Sequence, residues 1–518
     1  MARTGVPDRV TRNTPLLNGL LVLASTIMAS TLGYDSSMMN GLNILSSYKD
    51  YFHLTTATNG LLTASIYIGH IIASLMVGAL CDRWGRKPVL YFSGYITLVG
   101  VALQTGAVHI SMFLIGRIIV GFGTGLSGSA GPSYLAETTS YKFRPYALGS
   151  FFDCFFVGGL VASGVIYRTE KIDSTWSWRI PSLIQAFWSL ISIAILPFVP
   201  ESPRWLFYQG RSQEALTALA ASHSNGDETN PVTLAQFQQI EDTLTYEKSL
   251  GKMPNLIQAF KGKSNRKRLL LALSTAVIAQ LSANMIGYAA NNVITYYLGD
   301  MLDAAGVTDA TTQLEINIIL NAFSLVVCIV GTALVDKIGR RRLALTVTSL
   351  LVVFVFLIGA LTKIYGAGGS TSGIYATVAM IFLFQGCYAF GWTPLSVLYP
   401  PEVLSYSIRA NGMGLYMFGL SGTILLVAMA FPIALERIGW KLYMINGVWD
   451  VLCVIFIYFY WVETKGKTLE EIDEAITGEK HTDVPDIDLF SRGEVSLEKG
   501  VIVGLEAHSV QQVGEKKA

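Results

Sequence analysis

Charge is what this chain has least of: Asp, Glu, Lys and Arg make up 14% of its 518 residues and cancel to a formal net charge of +1. No global field favours nucleic acid or an acidic partner, so those binding classes drop out. Cysteine is scarce as well. The five present (Cys81, Cys154, Cys328, Cys387, Cys453) fall within or at the edge of apolar stretches. That is unlike the loop-borne pattern of a secreted disulfide scaffold, and reduced, structural thiols are expected. No His or Cys cluster has metal-ligand spacing, and no Ser or Cys sits in a nucleophile motif, so neither a metal centre nor an enzyme is expected.

What abounds is apolar side chain, at 52% of the sequence. The apolar runs last about twenty residues or more, enough at ~1.5 Å per residue to cross a hydrocarbon core of ~30 Å. Twelve membrane helices are expected, near 16–40, 57–80, 88–107, 111–135, 146–167, 179–199, 268–298, 314–335, 343–362, 374–399, 410–432 and 440–461. The first run is too long for the apolar core of a signal peptide. These spans divide the chain into a tail (1–15), a six-helix bundle (16–203), a polar linker with short surface helices (204–267), a second six-helix bundle (268–463) and a largely disordered tail (464–518). Basic clusters at Arg83, Arg86 and Lys87, at Lys337 and Arg340 to Arg342, and at the linker's end predict those loops and both termini to be cytoplasmic; Arg168, Lys171 and Arg437 run against the rule.

The same charged signatures occur twice, about 260 residues apart. Asp82-Arg-Trp-Gly-Arg-Lys87 is echoed by Asp336-Lys-Ile-Gly-Arg-Arg341. Tyr134-x-x-Glu137 with Arg144 is echoed by Tyr399-x-x-Glu402 with Arg409, and Glu201 in PESPRWL by Glu463 in VETKGKTL. Two halves in the same orientation are parallel repeats, whose rocking about a midplane site gives alternating access. Asp82, Arg83, Arg86, Glu137, Arg144, Glu201, Arg204, Asp336, Arg340, Glu402, Arg409 and Glu463 are therefore expected to form a cytoplasmic gate; the alternative is that they are surface ion pairs anchoring the topology.

GALCDRWGRK (78–87), Gly116-Arg117, PSYLAE (132–137), PESPRWL (200–206) and VETKG (462–466) together resemble the sugar porter family of the major facilitator superfamily, and in particular its fungal hexose and lactose permease-type members. The resemblance covers nearly all of the membrane part. It implies an all-α fold of two six-helix repeats, and a plasma-membrane carrier that acts as a monomer on a sugar and needs no cofactor beyond a proton gradient. Sugar/proton symport, facilitated diffusion and nutrient sensing are its three open functions.

Asp35 in helix one and Arg117 in helix four lie inside apolar runs, where a lone ion is costly. The resemblance implies that they form the proton switch: parting the pair favours proton uptake by Asp35, whereas a fixed pair would be structural. Asp153 and Asp450 read as carboxylates bonded to their surroundings. For the sugar, the resemblance implies Asn292 and, in Gly391-Trp392-Thr-Pro394, an aromatic platform at Trp392. Asn291, Gln280, Tyr297 and Asn321 are further candidates, with Phe152 standing where the family has a glutamine. Ile286 and Gly287 replace the family's paired glutamines and Ser324 an asparagine, which leaves hexose, pentose, disaccharide, polyol and acid derivatives open. His70 reads as a packing residue, and the glycines of helix four as helix-packing positions rather than a phosphate loop.

Overall fold

The computed structural model describes residues 10–11, 13–140, 143–249, 260, 262–281, 309–365, 371–438, 440–467, 472, 474, 476, 495–498 and 501–504. The first half consists of α1 (Thr14–Ile44), a short α2 (Ser46–Phe52), α3 (Thr56–Trp84), α4 (Arg86–Thr105), α5 (Ile110–Thr138) and α6 (Arg144–Thr169). Its sixth crossing is broken into α7 (Trp176–Ile184) and α8 (Ala186–Ile195). The second half consists of α12 (Lys263–Leu281), α13 (Ala310–Ile338), α14 (Arg340–Tyr365), α15 (Thr371–Val403), α16 (Tyr406–Ile438) and α17 (Lys441–Tyr460). Among the described residues, 11 helical spans are long and apolar enough to cross a membrane. The seventh expected helix, 268–298, continues beyond α12 into residues outside the description.

The expected repeat is visible in the packing. The second and eleventh crossings (α3, α16) pack together, as do the fifth and eighth (α6, α13), so each half offers equivalent helices to the other. Close approach depends on glycine: a Cβ at Gly33 of α1 would lie 1.9 Å from the Phe155 carbonyl of α6. Large apolar side chains such as Leu75, Leu426 and Phe459 remain exposed around the outside, an arrangement suited to lipid rather than water.

Between the halves, the linker forms α9 (Pro203–Tyr208), α10 (Ser212–His223) and α11 (Pro231–Ser249). Leu206, Phe207, Ala215, Leu219, Ile240 and Leu244 bury a small core of their own. The linker docks on the start of α1: Thr14 Oγ1 donates to the Ala221 carbonyl (3.0 Å) and Asn18 Nδ2 to that of Ser222 (3.2 Å). In the tail read as disordered, Val495–Glu498 pairs antiparallel with Val501–Gly504. Its sequence supplies a reason: the β-branched Val495, Val501, Ile502 and Val503 favour extended backbone.

Candidate functional site

Between the halves lies a cavity lined by residues of both. The first half contributes α1 (Met28, Leu32, Ser36), α3 (Tyr67, His70), α5 (Thr124, Ser127) and α6 (Phe151, Phe152, Phe155, Phe156); the second contributes α12 (Gln280), α15 (Tyr388, Thr393, Ser396) and α16 (Met417, Leu420, Ile424). A cavity walled by both repeats is where a rocking pair of bundles exposes and hides a solute.

Beside it, in the first half, lies the predicted intramembrane pair. Arg117 grips Asp35 with both terminal nitrogens, Nη1 to Oδ1 at 3.0 Å and Nη2 to Oδ2 at 3.2 Å, and neither side chain has any exposed surface. Arg117 Nε also donates to the Leu62 carbonyl (2.7 Å). Gln185 Nε2 donates to Asp35 Oδ1 at 3.0 Å, so the carboxylate has a third donor. Gln185 stands at the break between α7 and α8 and was not foreseen. A buried amide in an apolar run was the available signal.

The predicted gate residues gather at the end of the bundle that carries the linker, in two similar clusters. In the first, Arg86 Nη2 donates to Glu137 Oε1 (3.1 Å) and Ser202 Oγ to Glu137 Oε2 (2.5 Å). In the second, Arg340 Nη2 donates to Glu402 Oε1 (3.1 Å) and Thr464 Oγ1 to Glu402 Oε2 (2.7 Å), while Asp336 adds a 2.6 Å contact to Arg340.

Each cluster also has a carboxylate capping a helix start. Glu201 accepts from the backbone N–H groups of Arg86 (3.1 Å) and Lys87 (3.2 Å), and Glu463 from those of Arg340 (2.8 Å) and Arg341 (3.2 Å). Negative charge is favourable there because the first amides of a helix lack partners. Burial pushes the Glu201 carboxyl above its ordinary range, opposed by the amides it accepts from and by Arg86. Gly85 (φ 95) and Gly339 (φ 96) turn the chain just before these helices, where a side chain would press on the capping carboxylate.

The clusters meet across the halves where Arg409 Nη1 lies 3.4 Å from Glu137 Oε1, with both side chains buried. Arg409 also donates to the carbonyls of Pro401 (3.2 Å) and Leu404 (3.0 Å). Arg204 is buried near Glu137 and Arg144 near His223. Asp82 enters through its carbonyl, which accepts from Trp205 Nε1 (3.1 Å), and Arg83 is exposed.

A family model described as "Sugar (and other) transporter" matches residues 21–476. The chain belongs to this transporter family. Among relatives, it is 30% identical to the high-affinity glucose transporter of Kluyveromyces lactis over 88% of this chain and 84% of that one. It is 27% identical to the MFS-type transporter oryC of Aspergillus oryzae, over 89% and 86%. Its fold matches the proton:xylose symporter XylE bound to 6-bromo-6-deoxy-D-glucose with a TM-score of 0.79 at 21% identity, covering 89% of this chain and 99% of that one. The inward-open form of XylE from E. coli overlays with a TM-score of 0.66, at 21% identity over 88% and 99%. The transporter is thus a carrier of the major facilitator type and not an enzyme.

Its expected solute contacts are dispersed. Gln280 and Phe152 line the central cavity. Trp392 does not: it is fully buried, edge-on to Trp461 at 5.8 Å between ring centres. Asn321 faces the α6 contact, its Nδ2 3.3 Å from Ser163 Oγ, beside Asn317. Asn291, Asn292 and Tyr297 lie outside the described residues. Asp153 accepts from Thr332 Oγ1 (3.0 Å) across the α6–α13 contact, and Asp450 from Asn446 Nδ2 (3.1 Å) within α17. His70, read as a packing residue, bonds Thr124 through Nε2 (2.9 Å) and also borders the cavity.

Proposed function

We propose that this chain is a sugar/proton symporter of the plasma membrane, working as a monomer by alternating access, with the linker and both termini cytoplasmic. The observation that carries the reading is the buried Asp35–Arg117 pair, in a molecule whose cavity is walled by both halves. The glucose transporter among its relatives and the xylose symporter among its structural neighbours support a sugar as cargo.

The state described is closed at the linker end, where Arg409 reaches Glu137. For this end to open, that contact parts. In the same cycle Arg117 withdraws from Asp35, and the freed carboxylate carries the proton. Proton and sugar then cross together. Trp392 and Asn321, with Asn291, Asn292 and Tyr297 outside the described residues, are the further sugar contacts that the family resemblance implies.

Uptake of labelled glucose and xylose into proteoliposomes, with and without an imposed proton gradient, tests this. Uphill accumulation should depend on the gradient and vanish in Asp35→Asn, while exchange persists. Gradient-independent equilibration would instead mean facilitated diffusion, and no flux of any sugar through a folded protein would mean sensing.

A further inference from the structure

One wall of the central cavity offers a plain hexose no polar partner. Every ring carbon of a hexose carries an oxygen, and each hydroxyl turned toward a hydrocarbon wall without a partner is penalised. Here one wall is wholly aromatic. Phe151, Phe152, Phe155 and Phe156 of α6 form a chain of edge-to-face rings, with centres 5.7, 6.3 and 5.6 Å apart in succession. Met28 and Leu32 extend it along α1, and Met417, Leu420 and Ile424 face it from α16.

The polar groups lie elsewhere in the lining, on α1, α3, α5, α12 and α15. Ser127 and Ser396 spend their hydroxyl protons on backbone carbonyls one turn back, at 3.0 Å each. Among the described lining residues, two buried polar atoms have no protein partner: Nδ1 of His70, a residue only 1% exposed, and Oγ1 of Thr393, 5% exposed. They belong to different halves and border the same cavity, together with the Gln280 amide. Unmet groups of this kind in a native structure mark where a ligand's polar atoms go.

We propose that the cavity takes an amphipathic glycoside: one sugar ring bearing a flat apolar substituent, such as an aryl group. The substituent lies on the α6 phenylalanines, and the sugar hydroxyls meet His70, Thr393 and Gln280. This rests on the sugar-transport reading and narrows its substrate class. Aromatic rings stack well on offset or edge-on partners. A methyl group in the same place would leave most of the wall uncovered.

Calorimetric binding to the purified full chain in nanodiscs compares phenyl β-D-glucopyranoside with methyl β-D-glucopyranoside. The phenyl compound should bind on the order of tenfold to a hundredfold more tightly, the gain a filled apolar pocket gives. Phe155→Gln should shrink that ratio, and His70→Phe should weaken both ligands. Equal affinity for the two glycosides, or no binding of either, overturns the proposal.

Sugar flux in proteoliposomes separates this outcome from failure of the transport reading. A chain that carries glucose yet does not prefer the aryl ligand refutes the substituent site alone. One that binds the aryl ligand tightly but moves no sugar refutes transport and leaves the cavity assignment standing.

Discussion

Replacing Glu137 with Gln removes a charge from the contact between halves while preserving its shape. Glu137 accepts from Arg86 at 3.1 Å, Ser202 at 2.5 Å and Arg409 at 3.4 Å, and none of these four residues is more than 4% exposed. Of the three bonds, the one to Arg409 crosses between halves and is given up when they part. A hydrogen bond to a charged group contributes about 1.5–3 kcal/mol. At ~1.4 kcal/mol per factor of ten, Glu137→Gln should move the balance toward the state open at the linker end by roughly tenfold to a hundredfold. Nitroxide labels at the exposed positions Arg83 and Lys337, on a background with its five cysteines replaced, report the separation of the halves as a distance distribution. The longer component should grow in Glu137→Gln. A folded variant with an unchanged distribution would show that this carboxylate does not latch the halves.

The positive-φ turns make a paired prediction: Gly85→Ala and Gly339→Ala should each cost about 1–3 kcal/mol, read as a lower thermal midpoint. Trp392→Ala should destabilise by about 3–5 kcal/mol, because the indole is fully buried against Trp461; unchanged stability would refute that packing role. His223 gives a pH dependence. Burial, with Arg144 nearby and against the Leu219 carbonyl's pull, lowers it from 6.5 to about 4. The undocked linker then binds the proton more readily, so docking is intact above pH ~6.5 and weakens as pH falls toward ~4, by roughly 1.4 kcal/mol at pH ~5.5. Limited proteolysis of the linker should quicken at that pH, and His223→Gln should flatten the response.

The repeat was legible because each signature carries charged residues in a fixed order, and charge is scarce in this chain; in one of them a turn glycine recurs as well. Asp35 and Arg117 stood out because an ion in a membrane helix needs a partner or a solvated cavity, and the family resemblance implied that these two act together. The faces of the helices were less legible. When a helix is apolar all round, its period no longer separates core from outside, so neither the phenylalanine wall of α6 nor the burial of Trp392 could be read from spacing. Gln185 was missed because an uncharged amide gives little contrast. The capping roles of Glu201 and Glu463 depend on backbone amides 115 and 123 residues away, a separation no local motif reports.

That pair of long-range caps has a consequence for how the molecule can be taken apart. Each carboxylate fastens the strand of chain leaving a bundle's last helix to an early hairpin of the same bundle, so both bundles are stitched shut by their own residues. A gene cut between α11 and α12 should therefore yield two polypeptides that mature separately, meet in the bilayer and restore a working carrier without a peptide bond between them.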